Sequence, residues 1–466
     1  MVLNYLENQE KLDEDQQRAF FYALAGEQFL LITGAAGSGK THLIKAIKNA
    51  LTSMGKGVML LAPTGVAAIN IGGATIHSQL DIPRGIAPKH RMKENSSLSE
   101  LLKHTDTVII DEISMVLSDM MPAIEQRLTS YGPDPSKPFG GIQLIMVGDL
   151  LQLPPILKNE DREAFINARY DPVNPYFYKE LNVKNILSIV LRNSYRQTDD
   201  NFYKILSQIR EGRNVVEAIK TINDRCYDPS YKNSLLTLCA TKSAAKVIND
   251  EKLRELPGNT VKYSQEIKDS REYGQKTPLD IDDLFQTPLN LELKVGARVM
   301  ITRNHYNNSN NDLPSLIPNG TLADVAELGE NSIKVRLRTV APGKIFDVPV
   351  VPWDRQRYSF NKEENRVVEN IDISFKQFSL KLAWAITIHK SQGLTLENYV
   401  LDLGENSFTP NLAYVALSRA SKFEDIHLSR PLTINDIQLD KDIIDVNRRL
   451  FNSSLRTISF TPQRKK

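Results

Sequence analysis

The apolar run Phe29–Thr33 (FLLIT) breaks into Gly34-Ala-Ala-Gly-Ser-Gly-Lys-Thr41, and the helix-patterned stretch Leu43–Ser53 follows at once. Strand, GxxxxGK[ST] loop and helix in that order are the context in which such a loop wraps phosphate. Glycines let the backbone close around an anion, and the loop N–H groups and the helix N-terminus meet its charge. The residues Gly34, Ala35, Ala36, Gly37, Ser38, Gly39, Lys40, Thr41 and His42 are the expected nucleotide-binding run. Lys40 is placed to reach the β- and γ-phosphates of a triphosphate, most simply ATP, and the Thr41 hydroxyl to ligate Mg2+.

More apolar runs follow: Val58–Ala62 (VMLLA), Thr107–Ile110 (TVII) and Ile142–Val147 (IQLIMV). They are continuous rather than alternating, as strands buried on both faces are, which predicts an α/β domain with a parallel sheet covered by helices. The later runs Ile186–Leu191, Leu235–Ala240 and Tyr399–Leu403 predict a second α/β domain. From about Thr260 to Gln377 the chain turns polar and β-branched, and VGARVMIT, IKVRLRTV and FDVPVVPW wholly or partly alternate. That predicts a small β-barrel or β-sheet insertion, with the Asn-rich stretch Asn304–Asn311 as a solvated loop. A polar, basic insertion around Ile82–Ser97 interrupts the first domain. The expected division is a first domain over 1–190 with a small insertion about 79–102, and a second domain in two parts, 191–285 and 376–450. The β-rich insertion lies at 286–375, and 451–466 reads as a frayed basic tail.

A chain of 466 residues has room for two to four domains. Its net charge of +2 announces no nucleic acid globally, although a groove can be basic while the whole is balanced. The two cysteines, Cys226 and Cys239, form no CxxC pair, and the histidines are scattered, so neither a disulfide framework nor a Cys/His metal site is expected. The N-terminus has no signal pattern, and no apolar run approaches the roughly 20 residues of a membrane span. The expectation is a soluble protein of a reducing compartment, with no membrane partner.

Val108-Ile-Ile-Asp-Glu112 is an apolar strand ending in two carboxylates. Asp111 is placed to hold Mg2+, directly or through water, and Glu112 to act as general base for an attacking water. By itself such a pair could serve solubility; beside a phosphate loop it reads as catalytic. Kinases, GTPases, transporters and motors share the loop, and the adjacent Glu112 argues for hydrolysis over transfer.

Further motifs stand in order along the chain: Gly148-Asp-Leu-Leu-Gln-Leu-Pro-Pro155, Asn193-Ser-Tyr-Arg-Gln197, Ala385-Ile-Thr-Ile-His-Lys-Ser-Gln-Gly393 and Ala413-Tyr-Val-Ala-Leu-Ser-Arg-Ala420. With Leu12-Asp-Glu-Asp-Gln16, Ala62-Pro-Thr-Gly-Val-Ala-Ala68, Gly73-Ala-Thr-Ile-His-Ser78 and Pro138-Phe-Gly-Gly-Ile-Gln143, this set resembles superfamily 1 helicases. It most resembles the petite-integration-frequency (Pif) family of superfamily 1B DNA helicases, over about Leu12 to Leu428. The Asn-rich loop and Ser379, where a proline is common, depart from the family pattern.

The resemblance implies two RecA-like α/β domains sharing an ATP cleft. Gln16 contacts adenine in that picture, Gln152 senses the γ-phosphate, and Arg196 and Arg419 act as arginine fingers. The competing view of each arginine is a surface salt bridge worth under roughly 1 kcal/mol. Thr64, Thr75, His77, Thr387, His389 and Lys390 fall in segments implied to line a single-stranded DNA track, where hydroxyls and cations hold phosphates without reading sequence. Trp384, in the helix-like AWAIT run, and Phe202 and Tyr203 read as core. The implied activity is 5′-to-3′ translocation with duplex separation in replication, recombination or repair, by a monomer acting on single strands and junctions. The basic segment Arg84–Lys93 serves as separating element and the β-rich insertion helps to clamp the strand. G-quadruplex DNA stays open as a further substrate. The compartment is the cytoplasm of a bacterium or phage host, or a nucleus or mitochondrion in a eukaryote. Two other readings remain: an RNA-directed or non-unwinding translocase, and a nucleotide-switched single-strand-binding module.

Overall fold

The computed structural model describes residues 12–460 apart from 84, 87–91, 158–160, 182, 231–234, 270–284, 286, 307–312, 406–408 and 453–456. The chain forms two units. Unit 1 comprises Met1–Tyr195, Arg355–Asp372 and Asp440–Lys466; unit 2 comprises Arg196–Asp354 and Ile373–Leu439.

Unit 1 is built on strands β1 (Phe29–Gly34), β2 (Val58–Ala62), β3 (Ala74–Thr75), β4 (Thr107–Ile110), β5 (Gln143–Gly148) and β6 (Val183–Leu191). They pair in parallel in the order β6-β1-β5-β4-β2-β3. Successive residues point to opposite faces of a strand, and here both faces are apolar. Leu31, Met59, Val108 and Leu144 pack under the helices Ser96–Lys103 and Met120–Tyr131. Leu30, Leu60, Ile109 and Ile145 pack on the other side. There they meet α1 (Glu14–Leu24), α2 (Lys40–Ser53) and α3 (Gly65–Ile71). Two covered faces are the reason these runs carry no polar alternation.

Three assignments differ from the sequence expectation. The run Ile186–Leu191, grouped by its pattern with the second set of strands although the expected boundary fell at 190, is β6 of the first sheet, with Leu30 opposite Leu187 and Thr33 opposite Val190. Its apolar composition specifies burial but not which sheet receives it. The expected frayed tail contains a strand, Thr457–Phe460, antiparallel to β6 with Thr457 opposite Leu187. Thr-Ile-Ser-Phe is good strand chemistry, and the outer edge of β6 offers backbone groups that need partners. Finally, the strands Ile345–Asn361 and Arg366–Phe378 are neighbours in a sheet, and their distal part, Arg355–Asp372, belongs to unit 1. Tyr358 there is only 3% exposed and joins the unit 1 core.

Unit 2 contains a four-stranded parallel sheet in the order Ala385–Thr387, Leu236–Cys239, Tyr399–Asp402, Ile426–Leu428. The AWAIT run is therefore strand rather than helix: Ala385, Ile386 and Thr387 are too buried and too short a run to do otherwise once paired with Leu236–Cys239. Trp384 packs half-buried on the insertion core, and Phe202 is fully buried against Phe423. The insertion is antiparallel: Leu380–Leu382, Arg298–Ile301, Leu322–Leu328, Ser332–Leu337 and Ile345–Asn361 follow one another across its sheet. In Ser332–Leu337 the residues Ile333, Val335 and Leu337 are buried, and Lys334 and Arg336 point outward, as half-buried strands require. Residues 307–311 of the Asn-rich loop, and 84 and 87–91 of the expected separating element, lie outside the described residues.

Candidate active site

Strand order brings three motifs to one edge. β5 lies between β1 and β4, so their carboxyl ends release Gly34, Asp111 and Asp149 side by side, where open α/β sheets bind ligands. Gly37 and Gly39 have φ of 82° and 79°, the left-handed region where side chains are strained. A Cβ on Gly34 would lie 2.9 Å from the Leu191 carbonyl oxygen and 2.6 Å from Ser38 Oγ. Lys40, the first residue of α2, folds over the loop, its Nζ donating to Gly34 O at 2.9 Å and Ala35 O at 3.0 Å. Ala36 and Ser38 are buried, and Thr41 and His42 are exposed on the first helical turn. Among the described residues the Ser38 hydroxyl finds no hydrogen-bond partner.

Asp111 is buried just beyond β4, and its Oδ1 accepts from Glu112 N at 2.9 Å. Glu112 itself sits at φ 51°, which turns the chain sharply after the strand. Burial, and then the Glu112 carboxylate, push the Asp111 carboxyl up to about 7, against the pull of Lys40. Such a carboxyl gains from a cation. With the exposed Thr41 hydroxyl it makes a hard-oxygen donor set that fits Mg2+. After β5, fully buried Asp149 accepts from Leu151 N at 3.1 Å and from Gln152 Nε2 at 3.3 Å, fixing the turn that carries buried Gln152.

The other end of the loop is held by side chains far apart in sequence. Asp13 and Gln16 cap α1 reciprocally, and Gln16 Nε2 donates to Ser38 O at 3.2 Å. Tyr195 N donates to Gly37 O at 2.8 Å, and its hydroxyl donates to Asp13 Oδ2 at 2.7 Å. Asn193 donates to the same oxygen at 3.0 Å, and Arg192 pairs with Asp15 at 2.7 Å. Tyr195 stays 59% exposed beside Gly39 and Gln16, an aromatic face with room to stack on a base. Sequence reasoning gave roles to Gln16 and Arg196 and missed Tyr195 and Asp13; the available signal was an aromatic residue inside the motif Asn193–Gln197.

In unit 2, Arg196 and Arg419 come together. Arg419 is 1% exposed and donates to Val415 O, Ser391 O and Ser418 Oγ at 2.8, 3.2 and 2.9 Å. Arg196 donates to Thr395 Oγ1 at 3.1 Å and Ser418 O at 3.1 Å. Among the described residues Arg196 meets neutral acceptors and no carboxylate, so it is not half of a surface salt bridge. Burial and the Arg419 charge push Arg196 down to about 9, leaving it charged at neutral pH.

The six nucleic-acid candidates fall three to each unit. Thr64 lies just beyond β2, and Thr75 and Thr387 end β3 and the Ala385–Thr387 strand. Each uses its hydroxyl oxygen as a cap, accepting from Ala67 N, Ser78 N and Lys390 N at 3.2, 3.3 and 3.2 Å. Thr75 and Thr387 are buried, whereas His77, His389 and Lys390 are half-buried. Burial and the Lys242 charge hold His389 below the usual histidine range. At the base of the insertion in unit 1, Arg127 Nη1 donates to Lys93 O at 2.7 Å and Nη2 to Asp81 O at 2.8 Å, pinning both of its stems.

A family model for PIF1-like helicases matches residues 11–220. The ATP-dependent DNA helicase PIF1 of Danio rerio is 33% identical over 451 residues, 95% of this chain and 64% of that protein. The ATP-dependent DNA helicase Pif1 of Bdellovibrio bacteriovorus is 30% identical over 423 residues, 90% of this chain and 88% of that protein. Pif1 of Bacteroides sp in complex with ADP-AlF4 matches with a TM-score of 0.79 at 32% identity, covering 97% of this chain and 100% of that one. Bacteroides Pif1 bound to ssDNA matches with a TM-score of 0.63 at 32% identity, over 97% and 99% of the two chains. The chain spans less than two thirds of the vertebrate relatives from Danio rerio and Xenopus laevis. No helix among the described residues is long and apolar enough to cross a membrane.

Proposed function

The chain belongs to the PIF1-like helicase family, and on that premise we propose that it is an ATP-dependent DNA helicase. The observation that carries the reading is the loop Gly34–Thr41 beside the buried Asp111 carboxyl at the carboxyl edge of a parallel sheet of RecA-like type. Lys40 and the loop N–H groups hold the β- and γ-phosphates, and Gln16 and the exposed face of Tyr195 hold adenine. Thr41 and Asp111 would hold Mg2+, which would supply positive charge to the phosphate oxygens. Glu112 takes the proton of the attacking water, and Gln152 aligns with the γ-phosphate. Arg196 and Arg419 act as arginine fingers, supplying the cation that developing charge demands, worth about 10³ to 10⁵ in rate. A finger that engages only a triphosphate ties hydrolysis to translocation along DNA.

Thr64, Thr75 and His77 of unit 1 and Thr387, His389 and Lys390 of unit 2 hold the phosphodiester backbone of single-stranded DNA. Support for single-stranded DNA as the ligand comes from the similar Bacteroides Pif1, whose structure is of a complex with ssDNA. Movement runs 5′ to 3′, the direction the family resemblance implies, by a monomer loading at single-strand/duplex junctions, with G-quadruplex DNA as a further substrate. The protein works where DNA is kept: bacterial cytoplasm, or nucleus or mitochondrion.

Displacement of a duplex strand from substrates with a 5′ or a 3′ tail tests the proposal directly. A 5′-tail requirement, with ATPase stimulated by DNA and abolished in Lys40→Ala, is expected. ATPase indifferent to any nucleic acid refutes the motor reading. Stimulation by RNA and not DNA favours the RNA-directed alternative, and ATP-dependent DNA binding unaffected by Glu112→Gln favours the switch.

A further inference from the structure

Gln79 ends the four-residue helix Ile76–Gln79, which carries His77 and is capped by Thr75. Its side chain is 1% exposed, and both ends of its amide bond to one backbone residue. Tyr358 N donates to Gln79 Oε1 at 2.7 Å, and Gln79 Nε2 donates to Tyr358 O at 3.0 Å. A side chain thus supplies the two bonds that a neighbouring strand residue would supply. The Tyr358 hydroxyl accepts from Leu60 N at 3.2 Å, on the edge of β2 where the short β3 pairs only Leu61 and Ala62. Around it the hairpin tip is fastened several times over. The Phe360 ring stacks on His104 at 3.6 Å and 7°, Glu369 pairs with Lys48, and buried Arg355 pairs with buried Asp372 across the hairpin.

We propose that the tip of this hairpin positions the DNA-contacting helix of unit 1, with the Tyr358 backbone holding Gln79 and, through it, Thr75 and His77 in register with a DNA phosphate. The inference rests on the reading of Thr75 and His77 as DNA contacts. A helix of four residues has no cooperative stability of its own, so its orientation comes from what it is bonded to. Ile76, Leu80 and Ile82 around Gln79 are buried and apolar, and offer its amide no other partner. The partner comes from 279 residues further along the chain. The two strands that bring it run on, beyond residues 354 and 373, into the antiparallel insertion. The hairpin whose tip is hydrogen-bonded to this helix is therefore continuous with the strands of the insertion. Tyr358 and Gln79, both buried, are positioning residues.

Binding of a fluorescent oligothymidine to the full chain, and the DNA concentration for half-maximal ATPase, test this. Gln79→Leu keeps the volume and removes both bonds. It is expected to weaken oligothymidine binding and raise the half-saturating DNA concentration on the order of 5-fold or more. The ATPase rates without DNA and at saturating DNA should be unchanged. Gln79→Glu keeps the acceptor for Tyr358 N and gives an intermediate shift. Tyr358→Phe removes only the hydroxyl bond and leaves DNA affinity as it was. Ile124→Val, a core change that removes neither bond of Gln79, controls for lost stability. If DNA affinity in these variants simply follows melting temperature, or if Gln79→Leu binds oligothymidine like the wild type, the positioning role is overturned while the helicase reading stands. If the wild type itself binds no oligothymidine, the helicase reading falls first.

Discussion

Replacing Gly39 by alanine puts a methyl group where the phosphate loop has no room for one. Gly39 holds φ at 79°, and an added Cβ would lie 2.5 Å from Gln16 Nε2. An L-residue in the left-handed region costs about 1–2 kcal/mol. The Gln16 amide is the end of a flexible side chain, so it yields, giving up its 3.2 Å bond to Ser38 O, worth about 1 kcal/mol net. Together these oppose the native loop by about 2–3 kcal/mol. If the strain relaxes locally, the fraction of chains with a binding-competent loop falls roughly 30- to 150-fold, and apparent ATP affinity falls with it. Titration with a fluorescent ATP analogue, together with the ATP dependence of DNA-stimulated hydrolysis, measures the effect. Gly26→Ala separates the two causes, because Gly26 has φ 81° and nothing within 4 Å of the added Cβ. It should lower stability by about 1–2 kcal/mol and leave nucleotide binding alone. The reasoning is refuted if Gly39→Ala binds nucleotide within twofold of the wild type and is no less stable than Gly26→Ala.

Arg196→Ala should leave ATP binding nearly intact and lower DNA-stimulated turnover by about 10³-fold or more, read in single-turnover hydrolysis; a loss under tenfold would remove it from the transition state. Arg127→Ala unties the two stems of the unit 1 insertion, at about 1–3 kcal/mol for the stranded carbonyls. Strand displacement should then fall by an order of magnitude or more while ATPase on single-stranded DNA stays within about twofold; equal losses in both would sink the separating role of that insertion. Burial, and then the Arg303 charge, push His305 down to about 4 from 6.5, with its ring bonded to Ser379 Oγ at 2.6 Å. The unfolded chain therefore takes up the proton first as pH falls. This stability is present above about pH 6.5 and is lost between 6.5 and 4. In urea melts across that window His305→Gln should show a shallower acid loss than the wild type, and identical slopes would contradict it.

Much of the catalytic edge could be read from short windows. The turn after FLLIT needs glycines because Gly37 and Gly39 adopt positive φ, and that requirement is local. The carboxylates after TVII follow their strand directly, so Asp111 had to emerge near the same edge. What stayed hidden were bonds between distant segments. Tyr195 reaches Asp13 across 182 residues, and nothing in either short window marks the other. The pair Arg196 and Arg419 could be named from motifs, yet that one is nearly buried and both bond to neutral acceptors follows only from the packing around Ser391–Thr395 and Ser418.

Sequence alone determined the parts: a buried strand, a phosphate loop, a helix, a second set of apolar strands and an alternating insertion. Their local chemistry allows little else, since positive φ, continuous burial and period-two alternation each select residue types within a few positions. Tertiary structure alone decided the partners. Ile186–Leu191 could have joined either sheet, Thr457–Phe460 could have stayed unpaired, and Tyr358 could have remained in the insertion that encodes it. Each is settled by an unmet backbone group elsewhere: the outer edge of β1, the edge of β6, and Leu60 N on β2 with the buried amide of Gln79 beside it. A buried donor or acceptor left without a partner is costly enough to recruit one from anywhere in the chain. The phosphate loop was therefore legible at the outset, whereas the framework that holds Gln16, Tyr195 and the Thr75 helix around it depended on the whole fold.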